Sequence, residues 1–427
     1  MHVAMSNEEA RYPGTRWLVL LAYALCAVLF EICMLSITPL FPQIALDLKV
    51  NPGAVAGLMA SFLMGGTITM LVAGGPLCDR LGILWTITLS AFFTTLPMSL
   101  APWFCTSFHR ALLLRAIAGA GTGFLIPPLT GIIAIWFPPR QRGTASGISG
   151  VAMSVGMALA MLLGPALFNL TGSWQKMWAL LSVFGWIVFA FCVILSITLK
   201  APSTGESAGG AGEGGAFRKA LARPATYLGI VLSFAVQWCF MNLMGLVPGY
   251  LAADRPLGAG YGPMRAGQLM QGLTMLGGIV GPILGAILVD KIFHGKVKPV
   301  IVIGCAVVCV TSLALVAPVV AASAWITEAV LILAGLGLMA SFTVVFIVIA
   351  KSYPPQIVGK ITALWSGLGT FGGVFGTQVG GMLVAKTGNY NMTMTGTAVA
   401  AVAAVIVMSM ITEGRAGEAA PASGAAA

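Results

Sequence analysis

Hydrophobic residues gather into twelve runs, each long enough to cross about 30 Å of hydrocarbon as a helix rising 1.5 Å per residue. They cover residues 17–40, 55–75, 83–100, 112–137, 144–170 and 177–199, then 227–252, 267–289, 299–319, 325–350, 361–384 and 392–411. Of all residues 58% are hydrophobic and 8% charged, against roughly 25% charged in soluble domains. No water-soluble core hides that much apolar surface, so the bilayer is the solvent. In lipid the backbone must satisfy its own hydrogen bonds, which makes every run a helix. The expected fold is an all-α polytopic membrane protein with twelve transmembrane helices.

The runs fall into two related sets. Phe137-Pro138-Pro139 with Gly143 recurs as Tyr353-Pro354-Pro355 with Gly359, an offset of 216 (353 − 137), and Thr171-Gly172-Ser173-Trp174 recurs as Thr387-Gly388-Asn389-Tyr390 at the same offset. Gly119, Gly121, Gly156 and Gly164 likewise recur at Gly335, Gly337, Gly372 and Gly380. A duplicated half made of apolar helices marks a secondary transporter of two bundles, with its solute site between them. The expected division is a first six-helix bundle over 1–200, a linker over 201–225, a second bundle over 226–415 and a disordered tail over 416–427. The linker, rich in Gly, Ala and Ser, is expected to be mobile.

The formal net charge of +10 could suggest nucleic acid, but the basic residues sit in short gaps between the runs. Arg80, Arg140, Arg142, Arg218, Lys219, Arg223, Lys291, Lys296, Lys298, Lys351 and Lys360 fall on the side of the two termini; Lys49, Arg110, Lys176, Arg255, Arg265 and Lys386 fall on the other. That bias places both termini in the cytoplasm, in a bacterial inner membrane or an organelle membrane derived from it. The eight cysteines include no C-x-x-C and lie mostly inside apolar runs, and the three histidines lie at the tail or in loops. No metal site, cofactor or catalytic site is expected, and no nucleic-acid partner. The expected partners are lipid, a small solute and protons, for a monomer that is not an enzyme.

Gly75-Pro76-Leu77-Cys78-Asp79-Arg80-Leu81-Gly82, between the second and third runs, resembles the loop signature of the major facilitator superfamily, G-x-x-x-D-R-x-G-R-K. Its last two basic positions are here Ile83 and Leu84. Asp290-Lys291 is a degraded second copy. The fourth run opens Arg115-Ala116-Ile117-Ala118-Gly119-Ala120-Gly121, similar to the family's R-x-x-x-G-x-G. The resemblance covers the whole chain and implies two pseudo-symmetric bundles working by alternating access. It also implies a gate at Gly75, Asp79, Arg80 and Gly82, echoed at Asp290 and Lys291.

A charge inside the hydrocarbon costs about 2.5–3.5 kcal/mol on insertion scales, so Arg115 and Glu31, the acid of the first run, need a cavity or partners. Their depths differ by roughly 9 Å at 1.5 Å per residue, so they share a pocket without necessarily touching. An acid in the first run with an arginine in the fourth resembles proton-coupled multidrug facilitators, which implies that Glu31 takes up a proton or a cationic substrate and that Arg115 tunes it. Burial favours the neutral acid and the arginine favours the carboxylate, which together suit a proton switch. Gln237, Asn242, Gln268, Gln271 and Glu328 are further cavity candidates, because buried amides and acids need hydrated surroundings or partners. Pro127-Pro128 and Pro248-Gly249 are expected to break their helices where hinges would serve.

Three substrate readings stand. The first is proton-coupled export of a cationic or amphipathic compound through Glu31 and Arg115. The second is symport or exchange of an organic anion held by Arg115. The third follows Arg11-Tyr12-Pro13-Gly14-Thr15-Arg16-Trp17, which is similar to magnetosome-associated facilitators and implies transport of iron or an iron chelate.

Overall fold

A computed structural model describes residues 13–199, 213–353 and 355–411. The Arg11-Tyr12 opening, residues 201–212 of the linker and the 416–427 tail lie outside them. Among the described residues twelve helices are long and apolar enough to cross a membrane: α1 (Arg16–Asp47), α2 (Pro52–Ala73), α3 (Ile83–Phe104), α4 (Phe108–Leu129), α5 (Arg142–Thr171), α6 (Trp174–Thr198), α7 (Pro224–Ala252), α8 (Gly262–Ile292), α9 (Lys298–Val316), α10 (Ala324–Ile349), α11 (Lys360–Thr387) and α12 (Asn391–Met410). With an even number of crossings, Arg16 and Met410 lie at one end, here called the terminal end.

The duplication read from the sequence is a duplication of packing. In the first half α1 lies on α5, α2 on α4, and α3 on α4 and α6; in the second α7 lies on α11, α8 on α10, and α9 on α10 and α12. The caps repeat too. Gly172 and Gly388 end α5 and α11 in the left-handed region, at φ 66° and 69°, where only glycine sits without strain. Before each, a threonine hydroxyl donates back to its own helix, Thr171 to Leu167 O at 2.8 Å and Thr387 to Leu383 O at 2.7 Å. Phe137 and Tyr353 leave α4 and α10 in extended conformation, each with its ring edge-on to a tryptophan, Trp17 or Trp365.

Several local expectations are corrected. The Gly75–Leu81 segment is a helix rather than a loop, and the turn is confined to Gly82 at φ 83°. It continues α2 through a wide five-residue turn over Met70–Gly74. The described part of the linker holds a helix over Glu213–Leu221, and the Thr226 hydroxyl donates to Ala220 O at its end. Pro127-Pro128 does not break α4, which stays helical to Gly131 before a wide turn over Ile132–Trp136. α7 does break, at Leu246, just ahead of Pro248. The break that sequence reasoning missed is in α1, where the first helical stretch ends at Leu35 and a 3-10 turn over Thr38–Leu40 leads into Phe41–Asp47. Pro39 causes it: proline supplies no N–H and disfavours helical backbone in the residue before it.

The halves meet along α2–α11 and α5–α8 and between the broken ends of α1 and α7. At the end away from the termini this seam is tight. A Cβ built on Gly249 of α7 would stand 3.4 Å from Phe41, and Gly53 abuts Gly381 and Ala385. On α5, Met161, Ala158 and Ser154 form one face that meets Gly267, Gln271 and Gly278 of α8. The same face continues toward the terminal end as Gly150, Gly147 and Gly143, where an added Cβ would meet nothing within 4 Å. Between α5 and α8 the seam is closed at the far end and slack at the terminal end, while α2 and α11 still meet there at Leu71 and Gly367.

Candidate functional site

The Pro39 break strips the carbonyls at the end of the first α1 stretch of their usual donors, and a buried carbonyl left unpaired costs about 1–3 kcal/mol. Arg115 of α4 fills the gap. Its Nη1 donates to Cys33 O at 2.7 Å and its Nη2 to Met34 O at 3.0 Å, while Nε donates to Leu58 O of α2 at 3.2 Å. Leu35 O, whose normal donor would be the missing N–H of Pro39, takes the Thr38 hydroxyl at 2.8 Å. The guanidinium also lies 4.4 Å from the Phe62 ring centre and 5.4 Å from that of Trp178. Arg115 is 1% exposed. It holds three helices together by their backbones, so any binding role it has is exerted through its charge.

Glu31 lies one turn earlier on α1 and is 2% exposed. Its side chain faces α5, where a Cβ on Gly156 would come within 2.8 Å of its own Cβ. Its Oε2 is buried and has no hydrogen-bond partner among the described residues. Along α1 the acid precedes the carbonyls that the α4 arginine caps, but the two are not partners, and among the described residues neither has an ion-pair partner. Carbonyl dipoles satisfy the Arg115 donors without cancelling its unit charge. This part of the first half therefore carries a net charge of one when Glu31 is protonated and none when it is ionised.

The remaining candidates scatter. Gln237 of α7 is half-buried with Oε1 unpartnered. Asn242 points the other way: its amide oxygen accepts from Thr397 Oγ1 of α12 at 3.0 Å and its nitrogen donates to Gly376 O of α11 at 2.9 Å; it ties helices within the second half. Gln271 crosses the seam and donates to Ala158 O at 3.1 Å. Gln268 is exposed near the far end and accepts from Arg265 at 3.1 Å. Glu328, half-buried near the far end of α10, approaches Gly272. Arg80, Asp290 and Lys291 are exposed at the terminal end; the surroundings of Gly75 and the Asp79 side chain lie outside the described set. No group of three metal-ligating side chains occurs among the described residues. Sequence reading also missed Met59, which touches the Arg115 guanidinium at 3.9 Å and from the other side lies against Gly245 at the α7 break.

The sequence profile of the Major Facilitator Superfamily matches residues 20–377, and again 267–426. The chain belongs to this superfamily. It is therefore an integral membrane transporter, not an enzyme. Among its superfamily relatives, "Probable anion transporter 4, chloroplastic" of Arabidopsis thaliana is 29% identical over 187 residues, 43% of this chain and 33% of that protein. "Probable galactarate/D-glucarate transporter GarP" of Escherichia coli (strain K12) is 25% identical over 196 residues, 44% of this chain and 43% of that one. The chain thus spans less than half of either relative. The crystal structure of a D-xylose–proton symporter superposes with a TM-score of 0.74 at 17% identity, over 94% of this chain and 99% of that one. That likeness establishes the superfamily fold.

Proposed function

We propose that the protein moves a small organic anion together with a proton by alternating access, Glu31 being the proton site and Arg115 the fixed positive charge. The observation that carries this reading is the pairing left undone: among the described residues a buried Glu31 oxygen has no partner, and Arg115, which caps carbonyls two and three residues further along α1, has no counter-ion. An anion entering beside them is attracted by Arg115 and repelled by an ionised Glu31. Binding of the anion and protonation of Glu31 therefore favour one another, and by linkage each strengthens the other equally. That is the thermodynamics of symport.

A cationic substrate would favour ionised Glu31 and compete with the proton, which is the thermodynamics of antiport and of the export reading. The relatives named for anions support the first case. Proteoliposomes loaded with a pH indicator separate the two. Inward gradients of glucarate, benzenesulfonate or methanesulfonate, none of which leaks as a neutral acid, are expected to acidify the lumen, and Glu31→Gln to abolish the acidification. Proton exit driven by tetraethylammonium, with no response to any of the anions, would overturn the proposal.

A further inference from the structure

We infer that Phe240, Phe342 and Phe346 form the face on which the second half holds the body of the substrate, and that the substrate is a small aromatic carboxylate or sulfonate. The inference rests on the anion–proton reading above. Phe240 of α7 and Phe342 of α10 stack with centroids 5.4 Å apart and planes at 24°, and Phe346 meets Phe342 edge-on at 5.5 Å. Phe346 is 38% exposed, and the packing of α10 shows toward what. Gly337 and Ser341 lie against α9, at Gly304 and Val307. Phe346 is nine residues past Gly337, about half a turn round the helix at 100° per residue, and so faces away from α9, on the side of α10 whose earlier turns carry Gly335 and Met339 against α8.

α7 is oriented the same way. Cys239 and Asn242 bind Thr397 of α12, which leaves Gln237 and Phe240 on the opposite side. The next residue, Met241, meets Leu63 of the first half around Gly373. The ring row thus lies beside the face that Met241 turns to the first half, with the unpartnered Gln237 Oε1 one turn from Phe240.

The two halves offer different chemistry. In the second half the sequence has no Lys, Arg, Asp or Glu in the middle of any span, while the first half supplies Arg115. Aromatic faces carry negative charge density and repel an anionic group, but they hold another ring offset or edge-on. A substrate that satisfies both halves places its anionic group toward Arg115 and its ring among the phenylalanines. An organic cation over the ring faces is the competing occupant, and Arg115 opposes it.

The test is equilibrium binding to the purified full-length protein, with radiolabelled benzenesulfonate displaced by methanesulfonate or tetraethylammonium. Benzenesulfonate is expected to bind at least tenfold tighter than methanesulfonate, and Phe346→Ala to bring the ratio near one. Phe346→Leu, which keeps apolar bulk without a ring, is expected to do the same, with unaltered thermal unfolding reporting an intact fold. Equal affinities in the wild type, a ratio that survives both substitutions, or displacement by tetraethylammonium alone would overturn the inference. Ring preference in binding without proton movement in vesicles sinks the coupling reading and leaves this one standing. Proton movement driven as well by methanesulfonate as by benzenesulfonate sinks this one alone.

Discussion

Arg115 shows how one side chain reconciles a broken helix with lipid. Its donors replace those that the Pro39 break removes, and Leu58 O ties in α2. Arg115→Met keeps the length but takes their donor from the buried Cys33 and Met34 carbonyls, each worth about 1–3 kcal/mol, while Leu58 O keeps the Ser61 hydroxyl at 3.1 Å. The variant is expected to unfold several degrees lower in detergent, whereas Glu31→Gln, which breaks no hydrogen bond, shifts Tm little. A Tm unchanged by Arg115→Met would deny the capping role. Both residues were legible in the sequence, because an isolated charge in an apolar run is conspicuous by its cost. Their separation was not. Whether an arginine reaches a carboxylate or a carbonyl depends on the rotation of α1 about its axis and on a break whose consequences only the fold reveals.

At the scale of the helix, the α5 face that meets α8 is the informative element. It is filled at Ser154, Ala158 and Met161 and empty at Gly150, Gly147 and Gly143. If the terminal end closes during transport, α8 must come to that empty face, and a side chain there would prop it open. Gly147→Leu is expected to fold with Tm unchanged or slightly raised, since glycine is the poorer helix former, and to lose at least about tenfold in transport rate. Full transport in this variant would mean that α5 and α8 never approach there. Sequence reading placed the helices well because apolar length is a direct signal, yet it misjudged two breaks. Pro127-Pro128 looked like a hinge and lies in continuous helix, while the effect of Pro39 in α1 went unremarked. A proline deforms a helix only as far as its packing lets it, and packing is not written locally.

For the molecule as a whole, the repeat was legible because the caps that end α5 and α11 demand the same residues twice, Thr and then Gly, and the structure repeats their geometry. The proposed site between the halves is only half legible. Its charged side stands out in an apolar sequence, whereas Phe240, Phe342 and Phe346 look like any other apolar residues until the helices are assembled. The account turns on linkage between an anion and one proton across that site. The direct measurement is proton uptake when benzenesulfonate binds to the detergent-purified protein in weak buffer, followed with an indicator dye. Where Glu31 is ionised, each bound anion should take up as much as one proton, and affinity should fall by up to tenfold per pH unit as pH rises; Glu31→Gln should abolish both. Proton release on binding, or an affinity independent of pH in the wild type, would contradict the account.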